Sequence, residues 1–325
     1  MIISKRILFC IAALLILICF FINNHTIPYK EDLFVINEGE TLKTISQNLK
    51  EEGFVKNSRL FYILLYFNND PKDIKAGIYK LNSSMGSSEI INQIINGNTV
   101  KEKITIREGW TINDIANYLE EKNLFQKEDF FNIAGKSELG YPSLDLSNEF
   151  EFLKYKPKNL SLEGFLFPDT YYINKNDTPE IIIKKMLSNF EKKVWNKVDD
   201  KQNFYDVLIL SSLIEKEVRG LEDKQMISHV ILKRLESNMP LQIDATVLYA
   251  SKGTVFDSKI DSPFNTYKYT GLPIGPISNP GKESIKAALN PISNNYWYYL
   301  SAKDGTTVFS ENFEEHKINK NIYLK

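Results

Sequence analysis

The sequence predicts an α+β protein in three parts: a single N-terminal transmembrane helix, a small α/β domain, and a larger mixed α/β domain. Three observations carry this prediction. Residues 7–22 form an uninterrupted apolar run, a strand–turn–helix pattern occurs twice some 70 residues apart, and the texture changes near Leu160 to aromatic, Gly- and Pro-punctuated segments around one apolar helix. A chain of 325 residues has room for two or three modest domains, and 43% hydrophobic content supports packed cores. Lys and Arg (40) nearly cancel Asp and Glu (41), for a net charge of −1. With no dense basic stripe, nucleic acid is excluded as a partner.

The run Ile7–Ile22 follows Lys5 and Arg6 and ends at Asn23. It falls just short of the roughly 20 residues that span a bilayer. Snorkelling by Lys5 and Arg6, with the apolar Met1–Ile3 ahead of them, makes up the length. No small-x-small site follows in Asn23–Thr26, which favours an uncleaved anchor over a signal peptide. The basic residues precede the run, so residues 1–6 are expected in the cytoplasm, 7–23 in the membrane and the rest outside. Both cysteines, Cys10 and Cys19, fall within the run, so the exported part has no disulfide and no thiol chemistry.

Residues 24–157 hold the repeat. Phe34–Phe61 aligns with Ile104–Phe131: Ile36 with Ile106, Glu38-Gly39 with Glu108-Gly109, Thr41 with Thr111, Ile45 with Ile115, Leu49 with Leu119. Each copy reads as a short strand, a turn at Gly and a helix opening at Thr, whose hydroxyl suits an N-cap. Apolar residues at helical spacing (Leu42, Ile45, Leu49; Ile112, Ile115, Leu119) define the buried faces. Between the copies, Lys75–Tyr79 reads as a strand and Ser88–Asn96 as a short helix, while residues 142–157 show no period and read as a linker. The strand, the E-G-x-T turn and the amphipathic helix together resemble a degenerate LysM module, which implies affinity for N-acetylglucosamine-containing glycans. A duplicated structural unit without sugar contact is the alternative.

Residues 158–325 carry the candidate chemistry. Leu162–Tyr172 is aromatic-rich and broken by Gly164 and Pro168, so it reads as strand–turn–strand. Its Glu163, Asp169 and Tyr171 suit a sugar cleft, where rings stack on pyranoses and carboxylates bond hydroxyls; inward packing of an edge strand is the plainer alternative. Tyr205–Arg219 is apolar or small from Val207 to Ile214, which predicts a buried central helix capped at Gly220. Polar residues arrive at Glu215-Lys216-Glu217. Glu215 lies one turn beyond Ser211 and Ser212, and partial burial with the negative helix end is expected to raise its pKa, as a general acid requires. Glu217 points to another side, as a structural or supporting group. After a helix over 223–237, Gln242, Asp244 and Thr246 alternate along an extended stretch and so share one face. The Pro- and Gly-rich Thr270–Gly281 predicts a rigid irregular loop. From Tyr296 the chain reads as two strands turning at Asp304-Gly305, then a short helix in which His316 packs, with lining the cleft as the alternative.

Other chemistries fail. Gly275–Lys282 has five residues between its glycines and two prolines, unlike a phosphate loop. Three dispersed histidines without cysteine partners offer no zinc site, and no G-x-S-x-G elbow occurs, so neither metal nor cofactor is expected.

Taken in order, LEGFLFPDTY (162–171), SLIEKE (212–217), LQIDATVLYA (241–250), FNTY (264–267), TGLPIGPISNPG (270–281) and SIKAALNP (284–291) resemble the YceG-like proteins, the MltG-type endolytic murein transglycosylases. The resemblance covers nearly all of the exported chain; Ala245 departs from it, standing where Pro is frequent. It implies cleavage of MurNAc–GlcNAc bonds in nascent peptidoglycan to give 1,6-anhydro-MurNAc ends, terminating strand elongation beside peptidoglycan synthases. It also implies that the first Glu of E-K-E, Glu215, is the acid/base. Substrate-binding positions would include Gln242, Asp244, Thr246, Asn265, Thr266, Tyr267 and Asn279, with Glu163, Asp169, Tyr171 and Glu217. A non-catalytic wall-binding scaffold is the alternative, and it would tolerate Gln at position 215.

Overall fold

The structure, a computed structural model, describes residues 29–68 and 74–324. The apolar run with Cys10 and Cys19 lies outside these, and no helix among the described residues is long and apolar enough to cross a membrane. The fold is mixed α/β, with eleven α-helices and three two-stranded sheets among the described residues. Two compact units divide it: one runs to Glu102 and includes Asn174–Asn176, the other comprises Lys103–Ile173 and Asp177 onward.

In the first unit, β1 (Glu31–Ile36) pairs antiparallel with β2 (Gly77–Asn82), Phe34 facing Tyr79 across the ladder. Helices α1 (Leu42–Glu51), α2 (Ser58–Asn68) and α3 (Ser87–Asn96) complete it. Ile36, Ile45, Leu49, Phe61 and Leu65 fill its core, and Thr41 accepts from the Thr44 amide as the cap the sequence predicts.

In the second unit the chain repeats this local pattern. β3 (Lys101–Thr105), which belongs to this unit from Lys103 on, leads to α4 (Ile112–Glu121) and α5 (Lys127–Ala134) and pairs with β4 (Thr170–Asn174), which belongs to it up to Ile173. Thr111 and Asp114 form a reciprocal capping box at the start of α4. The apolar face of this copy shares its core with Phe165, Phe190, Trp195 and Phe204, so α4 and α5 belong to the same packed body as the later helices. Residues 142–157, read as a linker, are part of that body: Leu146, Phe150, Phe152 and Leu153 are buried in the core, and Glu151–Tyr155 makes a 3₁₀ turn. Such a segment lacks periodicity because its burial comes from tertiary contacts rather than from one face of a regular element.

The remaining elements are α6 (Pro179–Lys193), α7 (Phe204–Glu217), α8 (Leu221–Glu236), α9 (Asp244–Ala250), α10 (Lys282–Leu289), the hairpin β5 (Tyr298–Ser301)–β6 (Thr307–Ser310), and α11 (Phe313–Tyr323). Helix α7 is the predicted central helix. Its Phe204 and Leu208 enter one core, while Leu210, Leu213 and Ile214 enter a second built with α8, and α10 packs on both helices. Gly220 does not cap α7, which ends at an extended Val218; it is instead the N-cap position of α8. The hairpin turns at Asp304-Gly305 as predicted, and His316 packs on the Tyr298 ring at 5.2 Å between centroids, with burial lowering its pKa.

Two further expectations are corrected. Residues 162–168 form buried turns rather than a surface strand, and only Thr170–Asn174 is extended. Gly164, at φ +89°, lets Pro276 approach so closely that a Cβ there would stand 2.6 Å from the proline ring. The stretch 240–249 is not a strand: Gln242 is left-handed and the chain enters α9 at Asp244, so Gln242, Asp244 and Thr246 do not share a face: Thr246 is fully buried while Gln242 and Asp244 are exposed.

Candidate active site

A cleft of about 950 Å³ opens in the second unit. That is the size of a site for several linked sugar-sized groups. Helices α4 and α5 line it through Asn113, Asp114, Asn117, Lys127 and Phe131, and α9 with the 260–264 loop through Asp244, Leu248, Tyr249, Asp261 and Phe264. Lys216 and Glu217, from the last turn of α7, and Ile277 from the Pro/Gly loop also line it.

The two glutamates of E-K-E have different environments. Glu215 is absent from the cleft lining and is only 8% exposed in its side chain. Three donors occupy its two oxygens: Lys224 Nζ at 3.3 Å from Oε1, and the Gly281 amide (2.8 Å) and Ser284 hydroxyl (2.7 Å) at Oε2. Ser212, one turn earlier on the same side of α7, accepts from the Ile277 amide, and its carbonyl accepts from Ser278 Oγ. This side of α7 is therefore the seam that holds the Pro/Gly loop and the start of α10. Glu108, from the E-G turn, lies against Gly281, and burial, reinforced by the Glu215 charge, pushes its carboxyl up.

Glu217 faces the cleft instead. Burial pushes its carboxyl up to about 7; the Tyr299 hydroxyl opposes that shift by hydrogen bonding, nearby Asp244 adds to it, and Arg234 offsets it. Arg234 is fixed by donating to the carbonyls of Trp297 and Leu241, and Asp244 accepts from the Tyr267 hydroxyl. Glu217, two residues beyond Glu215, thus combines burial near the end of α7 with a carboxyl pushed up.

The other predicted site residues separate into three groups. Asp244 lines the cleft and Tyr267 joins it through that hydrogen bond. Glu163, Asn279, Asn265, Thr246 and Thr266 are buried as ties between segments. Glu163 accepts from the Ile112 amide (3.0 Å), Ser137 Oγ (2.8 Å), Tyr249 OH (3.2 Å) and Asn279 Nδ2 (2.9 Å), which leaves it no free oxygen for a sugar. Asn279 also accepts from the Leu166 amide and donates to the Trp110 carbonyl. Thr246 and Thr266 hydrogen-bond each other, and Asn265 holds the 258–260 backbone. Asp169, Tyr171 and Gln242 lie off the cleft: Asp169 pairs with Lys193, Asn189 bridges it to the Tyr171 hydroxyl, and Gln242 uses its backbone amide on Thr266 at φ +53°.

Sequence reasoning missed Asn113 and Asn117. They stand four residues apart, opposite the apolar face Ile112, Ile115 and Leu119, and that polar spacing was the available signal. It also missed Tyr299 and Arg234, which only the hairpin and α8 bring to Glu217. Among the described residues no three His, Cys, Asp or Glu side chains converge as metal ligands.

The buried Glu215–Lys224 pair carries a stability prediction. Glu215→Ala leaves Lys224, itself 2% exposed, charged and unpaired, at an expected cost of about 3–5 kcal/mol. Glu215→Gln keeps a carbonyl for the Gly281 amide and should cost less. Urea unfolding of the two variants reads the difference.

Comparison with known proteins gives one direction. The model of the YceG-like family matches residues 34–322. An endolytic murein transglycosylase of Bacillus subtilis is 34% identical over 311 residues, covering 89% of this chain and 84% of that protein. One of Streptococcus pneumoniae is 30% identical over 87% of this chain, which spans only 57% of the pneumococcal protein. The crystal structure of a YceG-like protein from Listeria monocytogenes superposes with a TM-score of 0.58 at 31% identity, covering 89% of this chain and 99% of that one.

Proposed function

This chain belongs to the YceG-like family, and we propose that it is an endolytic peptidoglycan lytic transglycosylase in which Glu217 is the acid/base. The observation that carries the reading is that Glu217, a buried carboxyl pushed up to about 7, lines a cleft of glycan-accommodating size beside Asp244. The names of the relatives from B. subtilis and S. pneumoniae support the reaction class.

The reaction balances with one carboxyl. Neutral Glu217 gives its proton to the glycosidic oxygen as the C1–O4 bond of a MurNAc–GlcNAc pair breaks. The MurNAc C6 hydroxyl then attacks C1, a C1–O6 bond forms, and Glu217 takes back the C6 proton. Water is not consumed, so the second carboxylate that a hydrolytic glycosidase needs has no task here. A pKa near 7 leaves Glu217 substantially protonated at neutral pH and a competent base afterwards. Glu215, its oxygens engaged by Lys224, Gly281 and Ser284, is assigned to holding the Pro/Gly loop and α10 on α7.

Asn113 and Asn117 supply carboxamides from α4 for sugar hydroxyl and N-acetyl groups. Replacing either with Ala is expected to raise KM by about two- to tenfold with kcat little changed, the loss of one hydrogen bond of roughly 0.5–1.5 kcal/mol. The anchor reading of Ile7–Ile22 completes the proposal: the cleft works outside the cytoplasmic membrane on nascent strands, and cleavage there terminates elongation next to the synthases that make them.

Digestion of purified peptidoglycan in ¹⁸O-labelled water tests the reaction. New MurNAc ends that are one water lighter than reducing ends and carry no ¹⁸O support it; reducing ends that take up ¹⁸O mean a hydrolase.

A further inference from the structure

Helix α2 of the first unit packs Phe61 and Leu65 inward, both 1% exposed, yet its outer side is also apolar. Leu60 (50% exposed), Ile63 (48%) and Phe67 (78%) follow i, i+3, i+7 spacing along one stripe, with Tyr66 (54%) beside them. Tyr66 stacks on Tyr62 and meets Phe67 edge-on, so the exposed end is an aromatic cluster. Of the eleven residues of α2 only Arg59 is charged, and it stands in the first turn. A helix hydrophobic all round is normally buried, and this one is buried on one side only.

Tyr and Phe grouped with Leu and Ile, next to a single Arg, is the composition of a surface that sits at the headgroup–acyl boundary. The chain itself limits where that boundary can be. Only residues 23–30 separate the end of the apolar run from the first residue of β1. Eight residues reach at most roughly 28 Å when fully extended. Resting on the anchor reading above, we propose that the outer face of α2 lies in the outer interface of the same bilayer, making the first unit a membrane-seated base rather than a freely swinging linker. The occupant is lipid, and the contact is apolar insertion by Leu60, Ile63, Tyr66 and Phe67.

The test uses the full chain in lipid nanodiscs without other proteins, with Cys10 and Cys19 replaced by Ala and an environment-sensitive fluorophore at Phe67→Cys or, as a control on the exposed side of α1, at Lys43→Cys. The proposal predicts blue-shifted emission and quenching by acyl-brominated lipid at position 67, and aqueous emission without quenching at 43. Aqueous emission at 67 in a chain that still copurifies with the nanodisc overturns the docking while leaving the anchor intact, and would assign the face to a protein partner. A chain that does not associate with lipid at all overturns the anchor reading as well.

Discussion

Glu217→Gln is expected to lower glycan cleavage by about 10²- to 10⁴-fold, the range over which a positioned general acid acts. The substitution keeps the size of the side chain and its place at the end of α7, so at pH 5, where Glu217 is protonated, the thermal midpoint should hold while turnover is lost. Glu215→Gln should retain much of the turnover, because its carboxylate is turned to the loop seam and away from the cleft. The pH profile separates the two roles. The acid is competent when Glu217 is protonated, so the rate of wild-type enzyme should fall as pH rises through about 7. In Glu215→Gln that limb should remain where it is, and in Glu217→Gln the residual rate should lose it.

Glu163→Ala should be the most destabilising of the single substitutions considered. The carboxyl is 3% exposed and joins α4, the 137 loop, α9 and the Pro/Gly loop. Its removal strands the Ile112 amide and the Asn279 carboxamide at about 1–3 kcal/mol each, besides leaving a cavity. Glu163→Gln behaves differently. A Gln carbonyl can serve Ile112 and Asn279, while its amide donates to the Ser137 and Tyr249 hydroxyls, which reverse to accept. Burial pushes Glu163 up to about 7 against an ordinary value of 4.5. The folded state then holds its proton where the unfolded state has lost it, so wild-type stability should decline as pH rises from about 4.5 to about 7 and level off above. For a shift of that size the loss is on the order of 3 kcal/mol. Glu217, raised for the same reason, adds a decline in the same window. Glu163→Gln should remove its own share, so that wild type and variant are close at pH 5 and the variant is the more stable at pH 8. Urea midpoints at the two pH values check both sign and size; a wild-type curve that instead rises from pH 5 to 8 would contradict the burial argument.

Much of the fold was legible because its signals are local. The paired Ile36/Ile106 and Leu49/Leu119 positions, the Thr41 and Thr111 caps, the apolar Val207–Ile214 stretch and the Asp304-Gly305 turn each report through spacing or a single side chain. The chemistry was less legible because it depends on long-range partners. Glu163 resembles a sugar-binding carboxylate until Ile112, Tyr249 and Asn279, from 51 to 116 residues away, are seen to claim it. Gln242, Asp244 and Thr246 alternate in sequence, yet the last is buried by pairing with Thr266, and a seven-residue helix is too short to declare itself by period. Glu215 and Glu217 sit in the same turn, so helical periodicity alone cannot say which faces the cleft. That choice is made by Lys224, Gly281 and Ser284 on one side and by Asp244 and Tyr299 on the other.

The most direct measurement is a parallel digest of purified peptidoglycan by wild type, Glu215→Gln and Glu217→Gln, with the glycan ends resolved by mass spectrometry. Anhydro-MurNAc ends from wild type and Glu215→Gln, and none from Glu217→Gln, are the predicted result. Anhydro ends from Glu217→Gln at the wild-type rate, with Glu215→Gln silent, would contradict it and return the acid/base to Glu215.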